Sequence, residues 1–199
     1  MSRLEAALCR SAPWQAVAGR FVLPWALRGA TLKGDILEVG GGDGTMAAAL
    51  LESSPEARVT LTDFDPMMIE RAGARLHRFG ARAEIAHADV TALPFADASF
   101  DAALSFIMLH HVGRWEDALP ELVRVLRPGG RLFVYDLLDS AVTRLVHAIT
   151  KSGGVRLIRR KELVGLLGTL DLEAVAIDGQ RLIFRLHARR PAHAGAGKG

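Results

Sequence analysis

Cysteine, tyrosine and long apolar runs are all scarce in this chain of 199 residues. Cys9 is the one cysteine, which excludes a framework of intramolecular disulfides. No apolar run approaches the roughly 20 residues that a membrane-spanning helix needs, and the opening residues lack the apolar segment of an export signal. Aromatic residues make up only 6% of the chain. We therefore expect a single soluble domain of ordinary size in a reducing cytoplasm.

The small net charge of +3 conceals an uneven distribution along the chain. Up to Asp139 there are 14 basic and 18 acidic residues, whereas from Ser140 onward there are 11 basic and 4 acidic ones. The densest basic run is "RLIRRKE", residues 156–162. Such a run could meet an acidic substrate, anionic lipid or nucleic acid, but a solvated helix surface is the preferred explanation. No aromatic residues are interleaved for stacking on single-stranded nucleic acid.

Short apolar runs alternate with helical patterns after Gly34, which predicts an α/β fold. The expected architecture is a doubly wound, Rossmann-like, seven-stranded mixed sheet with helices on both faces. The strands are predicted in "DILEVG", "RVTLTDF", "AEIAHAD", "FDAALSF", "GRLFVYDLL", "LEAVAIDG" and "RLIFRLHAR". Little more than Gly179 separates the last two, so we expect a hairpin and an antiparallel last strand at the sheet edge.

Helices are predicted in "TMAAALLES", "PMMIERAGARLHRF" and "WEDALPELVRVL", with a weak one around "ADASF". Asp65 is placed to cap the second of these helices and Pro66 to occupy its first turn. The "LRPGG" segment is expected to form the turn between the last long helix and the next strand. Ahead of Gly34, one or two short amphipathic helices broken at Pro24 are expected.

A glycine-rich loop, "GGGDGT", follows the first predicted strand. Glycine at Gly40, Gly42 and Gly44 allows the backbone to approach a ligand closely. A dinucleotide fingerprint would need glycine where this chain has Thr45, and Asp43 would place a carboxylate beside the pyrophosphate. A ligand without phosphate and with a cationic centre tolerates that acid, and S-adenosylmethionine is such a ligand.

Four segments in the correct order resemble the class I S-adenosylmethionine-dependent methyltransferases. "ILEVGGGDGT" resembles their first motif and "VTLTDFDPMMIERA" their second. "AHADVTALPFADASFDAALSFIMLHHV" and "ELVRVLRPGGRLFVYD" are similar to the regions of the third to fifth strands. The resemblance covers residues 36–136, about half the chain. It implies a methyltransferase domain at 34–188. The amphipathic pattern ahead of it predicts an N-terminal helical cap at 1–33, and the small, polar composition of the last residues predicts a disordered tail at 189–199.

The resemblance also implies where S-adenosylmethionine, and its product S-adenosylhomocysteine, would bind. Asp63 would accept hydrogen bonds from the ribose hydroxyls, Asp89 and the backbone of Val90 would hold the adenine, and Glu38 would lie near the methionine head. No metal is implied. The complete set of expected cofactor-binding residues is Glu38, Gly40, Gly42, Gly44, Thr45, Asp63, Phe64, Met68, Asp89, Val90, Ser105 and Phe106.

Catalytic groups are less clearly marked, because methyl transfer needs orientation first and a general base only for some acceptors. His110, His111 and Tyr135 are weak candidates, since they lie at or just beyond the carboxyl ends of predicted strands, as does Asp136. His147, on a predicted helix, is a weaker one.

The preferred function is methylation of a small molecule, with a hydrophobic or lipid-like acceptor lined by residues such as Trp14, Phe21, Trp25 and Leu27. Two alternatives stay open: an RNA or protein methyltransferase that uses the basic C-terminal part, and a non-catalytic cofactor-binding or scaffold subunit. A homodimer in which the N-terminal helices close a neighbour's pocket is a further hypothesis.

Overall fold

The computed structural model describes residues 17–150, 155–179 and 181–192. Seven strands form one sheet in the order β3-β2-β1-β4-β5-β7-β6. Strands β1 to β5 are parallel, and β7 runs antiparallel to both of its neighbours. The strands are β1 Gly34–Val39, β2 Ala57–Asp63, β3 Ala83–His87, β4 Phe100–Phe106, β5 Leu126–Leu137, β6 Glu173–Asp178 and β7 Ile183–Arg189.

The helices of the described residues connect these strands and cover both faces of the sheet. A π-helical turn at Ala18–Val22 leads into α1, and 3₁₀ turns lie at His77–Arg82 and Leu109–His111. The α-helices are α1 Leu23–Ala26, α2 Thr45–Ser53, α3 Pro66–Leu76, α4 Trp115–Val125, α5 Ala141–Thr150 and α6 Arg160–Leu167. None of them is long and apolar enough to cross a membrane.

The side chains of the strands point alternately to the two faces of the sheet and contribute to an apolar core on each face. Ile36 of β1 packs with Leu50 and Leu76 from α2 and α3 on one face. Its neighbour Leu37 packs with Trp115 and other residues of α4 on the opposite face. Because successive strand residues point to opposite faces, a parallel strand buried on both sides has a nearly continuous apolar sequence. The three-layer α/β architecture predicted from the sequence is confirmed.

Local signals around α3 behave as the sequence indicates. The Asp65 side chain accepts a hydrogen bond of 2.9 Å from the backbone N–H of Met67, and Pro66 occupies the first turn. This cap fixes where the helix begins directly after β2. The helix ends earlier than expected, at Leu76, and the chain continues as the 3₁₀ segment with Gly80 at φ 55°.

Three expectations differ from the structure. The antiparallel strand β7 lies one position in from the edge, and β6 forms the edge, because β7 fills the place next to β5. The "ADASF" segment forms turns rather than a helix, with Ala98 at φ 55°. The "LRPGG" turn is absorbed into β5 as an irregularity, since pairing jumps from Leu126 to Arg131 against β4.

The N-terminal segment also departs from the expected break. Pro24 does not break a helix but lies in the first turn of α1, where its missing N–H costs nothing. Leu27 is buried, whereas Phe21 and Trp25 are partly or largely exposed. Trp14, and residues 193–199 of the expected tail, lie outside the described residues.

Candidate active site

The glycine loop lies at the carboxyl end of β1, where parallel sheets bind ligands. Gly40, Gly42 and Gly44 all adopt positive φ, at 62°, 56° and 79°. At Gly40, an added Cβ would lie 2.0 Å from Cγ of Met108, which follows β4. Glycine is therefore required there both by conformation and by the close approach of a neighbouring segment. Gly44 forms the N-cap of α2, so the loop delivers the chain directly into that helix at Thr45.

Asp63, the last residue of β2, ties the loop to its neighbouring strand. Its Oδ2 accepts a hydrogen bond of 2.9 Å from the backbone N–H of Gly42, and its Oδ1 accepts one of 2.9 Å from Asp65. A carboxylate has about four acceptor positions. Asp63 therefore retains acceptor capacity for hydroxyl groups of a ligand beside the loop.

Glu38 is the most unusual group at this end of the sheet. Its side chain is only 2% exposed, and its Oε2 has no hydrogen-bond partner among the described residues. Burial, with the nearby negative charges of Asp43 and Asp63, raises the pKa of Glu38 to about 8. A buried carboxyl left unpaired at a ligand-binding edge is suited to a cationic partner that supplies both charge and donors.

Arg75 of α3 pairs with Asp43, a contact that sequence reasoning missed. Arg75 donates to Oδ2 of Asp43 at 2.8 Å and to its carbonyl oxygen at 2.8 Å, while Asp43 Oδ1 also accepts from the Thr45 hydroxyl at 2.7 Å. The loop conformation is thus anchored from α3 and from within. Because Arg75 offsets the charge of Asp43, Asp43 is weaker evidence against a phosphate ligand than the sequence suggested. The buried carboxyl of Glu38 is the stronger evidence against a phosphate at this position.

The residues expected around the adenine lie beyond β2 and β3. Asp89 accepts from the backbone and hydroxyl of Thr91 through Oδ1, at 2.8 and 2.7 Å. The backbone N–H of Ala88 donates to the carbonyl of Asp63 at 3.2 Å, which joins the two strand ends. Phe64 is 68% exposed and lies beside the His87 ring. Val90 and Met68 are partly buried in the same region.

Ser105, Phe106 and Tyr135 are buried at the ends of β4 and β5. Ser105 is fully buried, and its Oγ has no partner among the described residues. Phe106 stacks on Tyr135 at 5.1 Å, and Tyr135 meets Trp25 edge to face at 5.6 Å. Phe106 and Tyr135 belong to the core that lies under the N-terminal helices. The Tyr135 ring therefore packs among the aromatic residues of this core.

His110 and Asp136 form a buried pair where β4 and β5 end. The two side chains are 2% and 0% exposed, and Nδ1 of His110 contacts Oδ1 of Asp136 directly. The His110 ring lies 4.1 Å from the His111 ring and 5.3 Å from the His147 ring on α5, measured between centroids. Within the described part of the chain, no three potential ligands gather as a metal site.

A cavity of about 590 Å³ lies at the other end of the sheet. It is lined by residues such as Lys33, Gly34, Asp101 and Arg131, near the amino ends of β1 and β4. This cavity contains none of the expected site residues. We therefore place the candidate site at the carboxyl edge, where the glycine loop, Glu38, Asp63 and the His110–Asp136 pair converge.

Comparison with known proteins identifies relatives of part of the chain. A family model described as "Methyltransferase domain" matches residues 37–134. The chain is 41% identical over 112 residues to the ubiquinone/menaquinone biosynthesis C-methyltransferase UbiE of Paracoccus denitrificans, covering 55% of this chain and 45% of that protein. It is 40% identical over 101 residues to the demethylmenaquinone methyltransferase of Thermus thermophilus, covering 51% and 46%. The matched region thus spans less than half the length of these two relatives.

Solved structures show the same fold over nearly the whole chain. A SAM-dependent methyltransferase from Thermotoga maritima superposes with a TM-score of 0.71 at 20% identity, covering 94% of this chain and 98% of that one. The glycine loop after β1 lies within the stretch that the family model matches. Residues 37–134 are therefore similar to a methyltransferase domain, and the chain has the fold of the Thermotoga maritima structure.

Proposed function

We propose that this protein binds S-adenosylmethionine at the carboxyl edge of the sheet and methylates a small, lipid-like acceptor of the quinol type. The observation that carries the proposal is Glu38, a buried carboxyl whose Oε2 has no partner among the described residues. The ammonium group of the methionine head would supply that partner. The glycine loop beside Glu38 has no side chains that would keep the ligand away from the backbone.

The other cofactor contacts are assigned residue by residue. Asp63 would accept from the ribose hydroxyls with the acceptor capacity that Gly42 and Asp65 leave. Asp89 uses Oδ1 for Thr91, which leaves Oδ2 for the exocyclic amine of adenine. The expected remaining contacts come from the loop itself and from the ends of β2, β3 and β4: Gly40, Gly44, Thr45, Phe64, Met68, Val90, Ser105 and Phe106.

S-adenosylmethionine, when bound, supplies an electrophilic methyl group on a sulfonium. The protein's part is to hold the acceptor in line with that group and to keep water out. Orientation of this kind is worth at best roughly 7–11 kcal/mol of the barrier. The rigid anchoring of the loop by Asp63, Arg75 and Met108 suits this task.

An apolar acceptor is supported by the outer face of α5. Val142, Leu145 and Ile149 are 53%, 60% and 70% exposed and recur at helical spacing. On the other side of the helix, the buried Thr143 hydroxyl bonds the carbonyl of Leu138 at 2.7 Å, and His147 lies against His110. The helix therefore carries exposed aliphatic side chains on the face opposite the one that lies against His110. The relatives are named as methyltransferases of ubiquinone, menaquinone and demethylmenaquinone, which is the same class of acceptor.

A polyanionic acceptor has less support. Arg144 and Arg159 both pair with Asp139, and Arg156 pairs with Glu116. The basic C-terminal part is thus partly neutralised by acids that the earlier part of the chain supplies. No observation favours RNA binding enough to make it a second proposal.

Calorimetric titration with S-adenosylhomocysteine tests the cofactor assignment. We expect saturable binding that Asp63→Ala weakens at least about tenfold, because charge-assisted hydrogen bonds are lost. Asp97→Ala is the matched control, since Asp97 is a 73% exposed acid far along the chain. NADH should give no heat of binding. Failure of the folded protein to bind S-adenosylhomocysteine would overturn the proposal.

Transfer is then measured with labelled methyl donor and a short-chain prenylated 1,4-naphthoquinol kept reduced in the assay. We expect a product methylated on ring carbon, identified by mass spectrometry. Labelling of a hydroxyl oxygen instead would contradict C-methylation while leaving cofactor binding intact.

A further inference from the structure

The environment of His110 goes beyond what packing requires. Asp136 already accepts backbone hydrogen bonds from Met108 at 3.1 Å, His110 at 3.3 Å and Leu137 at 2.6 Å. Two of those donors, from Met108 and His110, tie the turn after β4 to the end of β5. The same carboxylate also holds Nδ1 of the His110 ring, which the turn does not need.

This arrangement selects one form of the imidazole ring. The oxygens of Asp136 accept three backbone N–H groups and so act as hydrogen-bond acceptors. Nδ1 of His110 must therefore carry the proton in that contact. Neutral His110 then presents Nε2 as a lone pair, which is the tautomer that a general base needs.

The segment that carries His110 is held in a strained conformation beside the glycine loop. Ile107, which follows β4, adopts φ 50°. A β-branched residue in the left-handed region is a genuine outlier, and such strain gathers at functional sites. The next residue, Met108, packs its side chain against Gly40. The His110–Asp136 pair is thus linked to the cofactor loop through a single side chain.

Other ionisable groups surround the pair. His111 lies beside the His110 ring, His147 approaches it from α5, and Arg156 donates from its backbone to the His110 carbonyl at 2.8 Å. The Arg156 guanidinium is engaged with Glu116. In the described part of the chain, Asp136 is therefore the carboxylate in direct contact with the His110 ring.

From this geometry we infer that His110 is the general base of methyl transfer and that Asp136 is its positioning residue. The inference rests on the proposed function and names the group that serves it. As the new carbon–methyl bond forms and the sulfur–methyl bond breaks with its electron pair on sulfur, the hydroxyl proton of the quinol acceptor passes to Nε2. Asp136 stabilises the imidazolium that results. The methylated ring carbon then loses its own hydrogen to solvent as a proton, and the imidazolium returns the first proton to the ring oxygen, which restores the aromatic quinol and the neutral base.

The test compares His110→Gln and Asp136→Asn with wild type, using S-adenosylmethionine and the short-chain prenylated naphthoquinol. We expect kcat to fall about 100-fold or more in His110→Gln, with the dissociation constant of S-adenosylhomocysteine within about threefold of wild type. Wild-type kcat should fall on the acid side as Nε2 becomes protonated, and this acid limb should vanish in His110→Gln. His77→Gln, an exposed histidine after α3, is the matched control and should change neither quantity.

A second readout does not depend on turnover. Nitrogen-15 NMR of the histidine rings in the S-adenosylhomocysteine complex should show His110 protonated at Nδ1 and unprotonated at Nε2. Asp136→Asn should remove this preference and lower kcat while cofactor binding persists.

Other results would overturn the inference in distinguishable ways. Retention of kcat, or of the acid limb, in a His110→Gln protein that binds S-adenosylhomocysteine would reduce the pair to a structural lock on the turn. An Nε2-protonated His110 would exclude it as the base directly. If wild type binds S-adenosylhomocysteine but transfers no methyl group to the quinol, the proposal of a quinol acceptor is wrong, and so is this role for His110. Absence of binding would instead defeat the proposed function itself.

Discussion

Replacement of Glu38 by Gln should uncouple cofactor binding from pH. In the unliganded protein, burial and the charges of Asp43 and Asp63 raise the pKa of Glu38 to about 8, so the carboxyl is protonated at neutral pH. A ligand ammonium placed at Oε2 favours the charged form. Binding should therefore drive a proton off Glu38 and into the buffer.

The magnitude follows from that pKa. If Glu38 is fully ionised in the complex, binding releases about one proton at pH 6, about 0.9 at pH 7 and about half at pH 8. The same linkage makes the affinity of wild type for S-adenosylhomocysteine rise about 50-fold between pH 6 and pH 8. Glu38→Gln has no carboxyl to ionise and should show neither effect.

Calorimetry in buffers of different ionisation enthalpy measures the released protons directly. The slope of the observed enthalpy against buffer enthalpy gives the number per binding event. Glu84→Gln, which changes an exposed acid on β3, is the matched control and should keep the wild-type slope. A wild-type slope near zero at pH 7 would refute the reasoning, because it would mean that Glu38 keeps its proton or never held one.

Three further predictions follow from the same site. Glu38→Gln should make the unliganded protein more stable than wild type above pH 8. Because the pKa of Glu38 is raised from 4.5 to about 8 in the folded state, wild type loses stability as the pH rises between those values, by at most on the order of 5 kcal/mol. Denaturant unfolding of both proteins at pH 5 and pH 9 would reveal or exclude this loss. Gly40→Ala should lower the melting temperature and cofactor affinity more than Gly42→Ala, because the new Cβ meets Met108 at 2.0 Å in the first case and nothing within 4 Å in the second; equal effects would show that positive φ alone sets the cost. Leu145→Lys should raise KM for the prenylated acceptor several-fold and leave the dissociation constant of S-adenosylhomocysteine unchanged, and steady-state kinetics that show an unaltered KM would place the acceptor elsewhere.

The order of elements was predictable because it depends on local signals. Continuous apolar strands, the Asp65 cap, the glycine loop and the strand–helix rhythm each act within a few residues. The features that were predicted wrongly depend on contacts between residues far apart in the sequence. Nothing local in "LRPGG" shows that β5 begins before its glycines, because that pairing is made with Phe100 on another strand.

The candidate site shows the same division. Glu38 and Asp63 could be named from the family resemblance of the first two motifs, and each lies at or next to the end of a strand beside the loop. Met108 and Arg75 could not, because their roles arise where separate elements meet: Met108 packs on Gly40, and Arg75 reaches Asp43 from α3. Tyr135 was a reasonable candidate from its position, but its ring lies in the core on Phe106.

The sequence by itself determined the α/β fold, the ligand-binding edge and the cofactor class, because periodicity and the glycine motif act through local backbone geometry. Only the tertiary structure decided that His110 contacts Asp136 rather than solvent, and that Glu38 is buried with an unpaired oxygen. Burial and neighbouring charges set the charge state of Glu38, and the fold sets which ring nitrogen of His110 faces Asp136. The contact of His110 is made with a residue 26 positions away, and the state of Glu38 depends on the packing around it. No local pattern in the chain could therefore reveal either one.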